Sequence, residues 1–478
     1  MRWAVFVVLL SLTAGVFAQE VTDKEMKAAV KKGCDWLISQ QGSEGQWLYN
    51  TQGPFVLQVD PPIYDGSTAL VLFALLKGGV DPEHPAIKKG FAYLEKLPYK
   101  YTYAVSCYIL ALDALYEALA KKRAGKKARK EHKHEKGMTR VVDIDKYDPA
   151  KDMKRWNPAD VKKLKELIDW LVANRTNGRV WRYPPNGEDA SNTQYAILAL
   201  SVALRRRIPV PDEVYNNIAK YFVECQEKDG PEVDWFPVPA ADKSFRELRK
   251  VERDLVKRVT KMERELKKVG IKEDRDKIRT TVVRQSQDQI FKGEKKKMYA
   301  RGWCYMYNDT QGAAWRKMIT GAMTTSGVAA LCVCKRALEG RPAWRALQKR
   351  VNQAIRDGAA WLAHHFTVSN NPVGKMYPGG KDGQDANRGA LHHYYYLYGL
   401  ERVGILGLIP RLGKHDWYTE GARHLMSAQR PDGSWEAGSG TSGPIPDTCW
   451  AILFLKKATT PLVRIPKDIY SGKGILGK

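Results

Sequence analysis

Cysteine is scarce in this chain: seven among 478 residues, with no C-x-x-C pair and no ladder of even spacing. A disulfide framework is therefore not expected, and a chain with 44% hydrophobic residues is long enough to bury a large core without one. Most of the cysteines, Cys107, Cys332, Cys334 and Cys449 among them, sit inside apolar helical runs and read as buried thiols. Beyond the N-terminal segment no apolar run is expected to cross a bilayer, so an integral membrane protein is not expected. The basic stretches also lack interleaved rows of aromatics, which excludes a base-stacking platform, and no nucleic acid is expected as a partner.

What is present begins at the N-terminus. Met1-Arg2, the apolar run Trp3 to Leu12, and Val16-Phe17-Ala18 before Gln19-Glu20 have the form of a cleaved secretory signal peptide over residues 1–18. The apolar run is shorter than the ~20 residues a spanning helix needs. The expected location is exported, periplasmic or secreted, with residues 19–478 forming one domain. The formal net charge of +26 is concentrated in two places. Residues 120–163 hold 16 Lys/Arg against 7 Asp/Glu, and residues 241–298 hold 20 against 11.

The chain repeats itself. Gly33, Trp36, Leu37, Gln40, Gly45 and Trp47 recur in order as Gly421, His424, Leu425, Gln429, Gly433 and Trp435, with Lys32 preceding the first set. Each copy reads helix, polar turn, helix, and a unit of this size cannot bury its apolar face alone. Weaker copies pair 87–96 with 103–119, 161–174 with 193–204, 214–226 with 325–338, and 343–365 with 389–404, giving six helix pairs in all. In the fourth unit the Gly-x-Trp beat is displaced to Gly302-Trp303 by the intervening insertion. That second insertion, 241–298, spaces Phe245, Leu248, Val251, Leu255, Val259, Met262, Leu266 and Val269 three or four apart, predicting an amphipathic helix broken at Gly270 and a helical hairpin packed on itself. The first insertion, 120–163, reads as a solvated lysine-rich loop over 121–155.

The two full copies match the repeat of the squalene cyclase and protein prenyltransferase superfamily, and on these residues the chain resembles that superfamily. The resemblance implies an all-α fold: an α/α toroid of about six helix pairs, inner helices around an axis and outer helices enclosing them. It implies structural roles for Gln40, Trp47, Gln429 and Trp435, the amides bonding a neighbouring helix end and the indoles packing over it. A candidate rim of polar residues opens the inner helices: Asp65, Asp189, Thr324 to Ser326, His392, His393 and Asp447. Helix capping is the ordinary role for such residues, and their recurrence at equivalent points would gather them on one rim.

Squalene-hopene-type cyclases open an inner helix with an Asp-x-Asp-Asp-Thr-Ala acid motif. Here Ile445-Pro446-Asp447-Thr448-Cys449 keeps Asp-Thr and puts Pro446 where the protonating aspartate falls. Prenyltransferases hold zinc through Asp-x-Cys and a His, for which Asp447, Cys449 and His392 are the candidate ligands, in reversed chain order. No cofactor is expected. The reading is an exported cyclase-like repeat protein that binds an envelope protein or a small-molecule ligand. The alternative is an enzyme acting on a terpenoid, lipid or saccharide.

Overall fold

The computed structural model describes residues 22–48, 63–132, 148–183, 187–270, 295–308, 314–376, 391–437 and 443–463, with a few positions between 271 and 294. The expected signal segment 1–18 lies outside them. The fold is mostly helical: α1 (Asp23–Ser39), α2 (Ile63–Gly78), α3 (Pro85–Leu94), α4 (Thr102–His132), α5 (Pro158–Ala173), α6 (Ala190–Arg206), α7 (Asp212–Cys225), α8 (Phe245–Lys268), α9 (Gly321–Leu338), α10 (Trp344–His364), α11 (His393–Gly407), α12 (Trp417–Ala428) and α13 (Pro444–Leu455). Two antiparallel two-stranded ribbons accompany them, Glu232–Val233 with Met298–Tyr299 and Met318–Thr320 with Val373–Met376.

Two kinds of helix are built from two kinds of sequence. In α9, α11 and α13 nearly every residue is buried, as a helix apolar on all faces requires. In α7 the buried set is Val214, Tyr215, Ile218, Ala219, Tyr221, Phe222 and Cys225, one face of an amphipathic helix. The fully apolar helices pack in a cycle: α2 on α4, α4 on α6, α6 on α9, α9 on α11, α11 on α13, and α13 back on α2. The amphipathic helices cover them, α1 against α2 and α13, α3 against α2, α5 against α4 and α6, α7 and α10 against α9, and α12 against α11 and α13. Matching ends of neighbouring helices meet around the cycle. Lys77 and Glu117, near the C-terminal ends of the apolar parts of α2 and α4, pair at 2.6 Å, and Asp113 of α4 pairs with Arg205 and Arg206 of α6. At the other end Gly321 opens α9 against Tyr396, early in α11.

The repeated tryptophans fasten each unit. Trp47, Trp181, Trp303 and Trp435 are fully buried. Their indole N–H groups donate to the carbonyls of Leu37, Leu171, Phe222 and Leu425, at 2.5, 3.0, 2.7 and 2.7 Å. Their backbone N–H groups donate to the hydroxyls of Thr68, Thr193, Thr324 and Thr448, each early in an apolar helix. Trp303 takes this role across the second insertion, as its displaced beat predicts. The glutamine needs a correction. Gln429 Nε2 donates to the carbonyls of Ala29 and Gly433, both at 2.9 Å, and the equivalent donor in the first unit is Gln41, to Ala86 at 2.9 Å and Gly45 at 3.0 Å. Gln40, in contrast, donates to Ser39 Oγ on the surface. Gln41→Ala should cost about 1–3 kcal/mol, because two carbonyls lose their donor, while Gln40→Ala should stay within about 0.5 kcal/mol. Urea midpoints of the two variants check the assignment, and equal shifts would reject it.

Gly45 and Gly433 lie at φ 99° and 96°, and a Cβ at either would fall 2.4 or 2.7 Å from the carbonyl oxygens of Lys89 and Lys32 on the next covering helix. Both conditions select glycine. The last unit thus packs on the first.

Both insertions depart from expectation. Residues 121–132 are not loop: they continue α4 as helix, and 133–147 lie outside the described residues. Thr102–Ala124 of this helix is long and apolar enough to cross a membrane by length and composition, contrary to the expectation for residues beyond the N-terminus, and much of it is buried in the fold. In the second insertion α8 ends just before Gly270, at φ 73°, and Phe245, Leu248, Leu255, Val259, Ile278 and Val282 are buried. Its base is not self-contained, however. Arg356 pairs with Asp242 at 2.7 Å and donates to Ala241 O, Lys335 Nζ donates to Lys243 O, and Glu339 accepts from Phe245 N at 2.7 Å. The root of the arm is therefore part of the core.

Candidate functional site

The expected rim residues divide by what their side chains meet. Asp189 is the N-cap of α6, accepting from Asn192 N at 2.6 Å and Asn192 Nδ2 at 3.0 Å, and burial pushes its carboxyl up to about 7. Thr324, Thr325 and Ser326 lie inside α9, whose N-cap is Thr320; Thr324 receives Trp303 N–H, and the other two donate to Ala322 O. Asp65 lies in the first turn of α2, and its side chain is outside the described residues.

Asp447 is not a cap. The cap position of α13 belongs to Gly443, and Asp447 stands four residues on, buried, its Oδ2 accepting from Ala437 N at 2.8 Å. Among the described residues its Oδ1 has no hydrogen-bond partner. Burial, helped by Glu436, pushes the carboxyl up to about 8 against the opposing pull of the Ala437 N–H and Arg430, so it is neutral at pH 7.

The two histidines diverge. His392 occupies the N-cap of α11 with a left-handed backbone, φ 66°, uncommon for a residue with a Cβ. Its side chain is exposed, while neighbouring protein atoms lower its imidazole to about 4 by desolvation. His393 is buried, its Nε2 lies 2.8 Å from Val368 O, and its ring is 5.0 Å from that of His424 on α12. The zinc arrangement is not formed: among the described residues no three His, Cys, Asp or Glu side chains converge to hold a metal. The reason is helical geometry. Both Asp447 and Cys449 lie within α13, and residues two apart on a helix do not face each other. Cys449 is buried and unpaired like the other six cysteines.

A different cluster occupies the middle. Tyr103 of α4 bonds Ser191 of α6 and meets Tyr395 of α11, hydroxyl to hydroxyl, at 3.1 Å. Gln194 of α6 donates to Tyr395 and accepts from Arg402 Nη2 at 2.8 Å. Trp450 of α13 donates to Tyr195 of α6 at 3.0 Å. Arg402 is fully buried, its guanidinium 4.3, 5.6 and 5.8 Å from the rings of Tyr398, Tyr195 and Tyr395. In the packing cycle α4 stands opposite α11 and α6 opposite α13, so these bonds run across it. No protein-family model and no curated protein sequence matches this chain.

The chemistry available here is limited by protonation. Burial pushes Tyr103, Tyr183 and Tyr195 well above the usual phenol range, and His392 and His393 are pushed down to about 4. At neutral pH the phenols are hydrogen-bond donors that do not ionise and the imidazoles are neutral. A general base works best with a pKa near the operating pH, which none of these phenols and imidazoles has; the groups near it are Asp189 and Asp447, pushed up to about 7 and about 8. Sequence pattern does not single this cluster out, because tyrosines within apolar helical runs are ordinary packing residues. One signal was present: Glu401-Arg402, two charges inside the apolar run of α11, which burial permits only with partners.

Proposed function

We propose that this chain is an exported binding or scaffold protein of the cell envelope, built as an α/α toroid of the squalene cyclase and prenyltransferase type without that superfamily's chemistry. The cyclic packing order of the apolar helices and the four repeated Trp–Thr fastenings support the architecture. The observation that carries the functional reading is the side-chain bridge across the cycle. Tyr103 to Tyr395 and Trp450 to Tyr195 join opposite inner helices where family-type catalysis would require an open pocket with converging acids.

The test is native mass spectrometry of protein isolated from its own cells without added ligand. A co-purifying envelope protein, with no conversion of the co-extracted terpenoid, lipid or saccharide fraction, is the expected result. A stoichiometric small molecule that the purified protein turns over would overthrow this reading in favour of an enzyme. One observation favours that alternative: Asp447 offers a neutral carboxyl with an unpartnered oxygen, the state a proton donor needs.

A further inference from the structure

The solvated face of α8 carries its charge in a pattern that net charge alone does not explain. Arg246, Lys250, Arg253, Lys257, Lys261 and Arg264 are all exposed and follow one another at three- or four-residue spacing. On a helix that spacing draws one line of cations about 27 Å long, with steps of ~4.5–6 Å. The buried residues Phe245, Leu248, Leu255 and Val259 lie on the opposite side. Glu247, Asp254 and Glu265 stand roughly a quarter turn from the line at ~100° per residue, and although Glu265 reaches within 3.8 Å of Lys261, no acidic residue lies on the line itself. Like charges at such spacing each cost a few tenths of a kcal/mol, about 0.2–0.5 per pair, and a helix that needed only solubility would mix signs along the face.

We propose that this stripe binds a linear acidic polysaccharide, one carrying a carboxylate or sulfate on successive sugars. The proposal rests on the binding-protein reading above and names a partner class for it. A narrow line of evenly spaced cations matches an extended polyanion. An anionic bilayer is disfavoured because, among the described residues of this arm, the exposed large apolar ones, Val256 and Val269, fall off the stripe and give it no wedge. Nucleic acid is disfavoured because the stripe offers no aromatic face to a base. The arm leaves the molecule at the C-terminal end of α9, where Lys335 and Arg336 lie 5.9 and 5.8 Å from the Phe245 ring. The helical continuation of α4 through the lysine-rich 121–132 leaves from the corresponding end of its own helix, so both basic elements spring from the same side of the packing cycle.

The test uses the purified full-length chain with four probes: alginate and heparin oligosaccharides, a single-stranded DNA oligonucleotide, and phosphatidylglycerol vesicles. Binding is followed by anisotropy or calorimetry against salt. The triple reversal Arg253→Glu/Lys257→Glu/Lys261→Glu is expected to weaken alginate or heparin binding about ten-fold or more and to flatten its salt dependence, as lost counterion-releasing contacts do. The corresponding glutamine triple should weaken it less, and serves if the reversal perturbs folding. A dispersed control of equal charge, Lys24→Glu/Lys27→Glu/Lys349→Glu, should change binding less than about three-fold, since charges beyond a Debye length are screened. Equal loss in the control, tighter binding of DNA or vesicles than of either polysaccharide, or no polysaccharide binding at low salt would each overturn the proposal. Those failures leave the co-purification result unchanged, so the two readings fall separately.

Discussion

Replacing Trp435 by alanine should destabilise the protein by about 3–5 kcal/mol, the range for removing a large buried aromatic. The indole is fully buried, its N–H is the donor to Leu425 O, and its ring edge lies against Gly33 of α1, where a Cβ would sit 2.7 Å away. It therefore ties the last unit both to its own helix and to the first helix of the chain. That contact supplies an internal check. Gly33→Ala alone should be destabilising, because a methyl meets the ring, and should become close to neutral where Trp435 is already alanine. Urea unfolding of the four proteins in the cycle measures the coupling. Additive effects would show that the closure lies elsewhere, and unchanged stability with lost binding would contradict a structural role for Trp435.

Asp447→Asn should raise stability at neutral pH and leave it little changed near pH 4. The folded carboxyl is pushed up to about 8, while in the unfolded chain it titrates near 4. Below pH 4 both states are protonated and burial of the acid carries no ionic penalty. As pH rises toward 8 the unfolded state releases its proton and the folded state does not, so this residue lowers stability progressively, by roughly 4 kcal/mol at pH 7. Asparagine keeps an acceptor for Ala437 N–H and has nothing to ionise; its amide meets the same lack of a partner that Oδ1 has now, which offsets about 1 kcal/mol of the gain. Asp189, pushed up to about 7, contributes a slope of the same sign in both proteins. His392 and His393 contribute the opposite slope between about 4 and 6.5, since the unfolded imidazoles bind protons that the folded ones exclude. The difference between parent and variant isolates Asp447. A gap that is the same at pH 4.5 and 7.5 would refute the buried neutral acid.

The repeat was legible because it is local. A tryptophan, the helix carbonyl ten residues before it and the threonine that opens the next helix all follow from spacing within one unit, and even the displaced Trp303 kept its beat. Gln40 was mistaken for Gln41 because two glutamines adjoin. The distance from Gln429 to Trp435 fixes the phase that Gln41, not Gln40, shares with Trp47. Asp447 was read as a cap because a short acid near a helix start usually is one, and only the course of the chain through Gly443 and Pro444 shows the helix beginning a turn earlier. The central cluster was beyond sequence reasoning for a different reason. Tyr103, Gln194, Tyr395 and Arg402 are brought together from three helices separated by up to 299 positions, and no periodicity in any one helix announces the others. The insertions fell between. The amphipathic pattern of α8 predicted its helix, while the Asp242–Arg356 pair and the Phe245 N–H to Glu339 bond that root it depend on α9 and α10.

The packing of α13 on α2 has a consequence for how the protein is made. Leu70, Leu72, Phe73 and Leu75 of α2 are shielded in the finished molecule, and α13 supplies part of that cover from the far end of the chain. At ribosomal speeds of ~5–20 residues per second the interval between the two is on the order of 20–70 s. Throughout it the nascent polypeptide displays apolar surface that nothing yet synthesised can cover. For a chain travelling across a membrane, as proposed above, this delay is useful: an unclosed fold can still be threaded through a translocation channel. Ribosome-bound intermediates lacking α13 should be more readily cleaved by protease within α2 than the released protein.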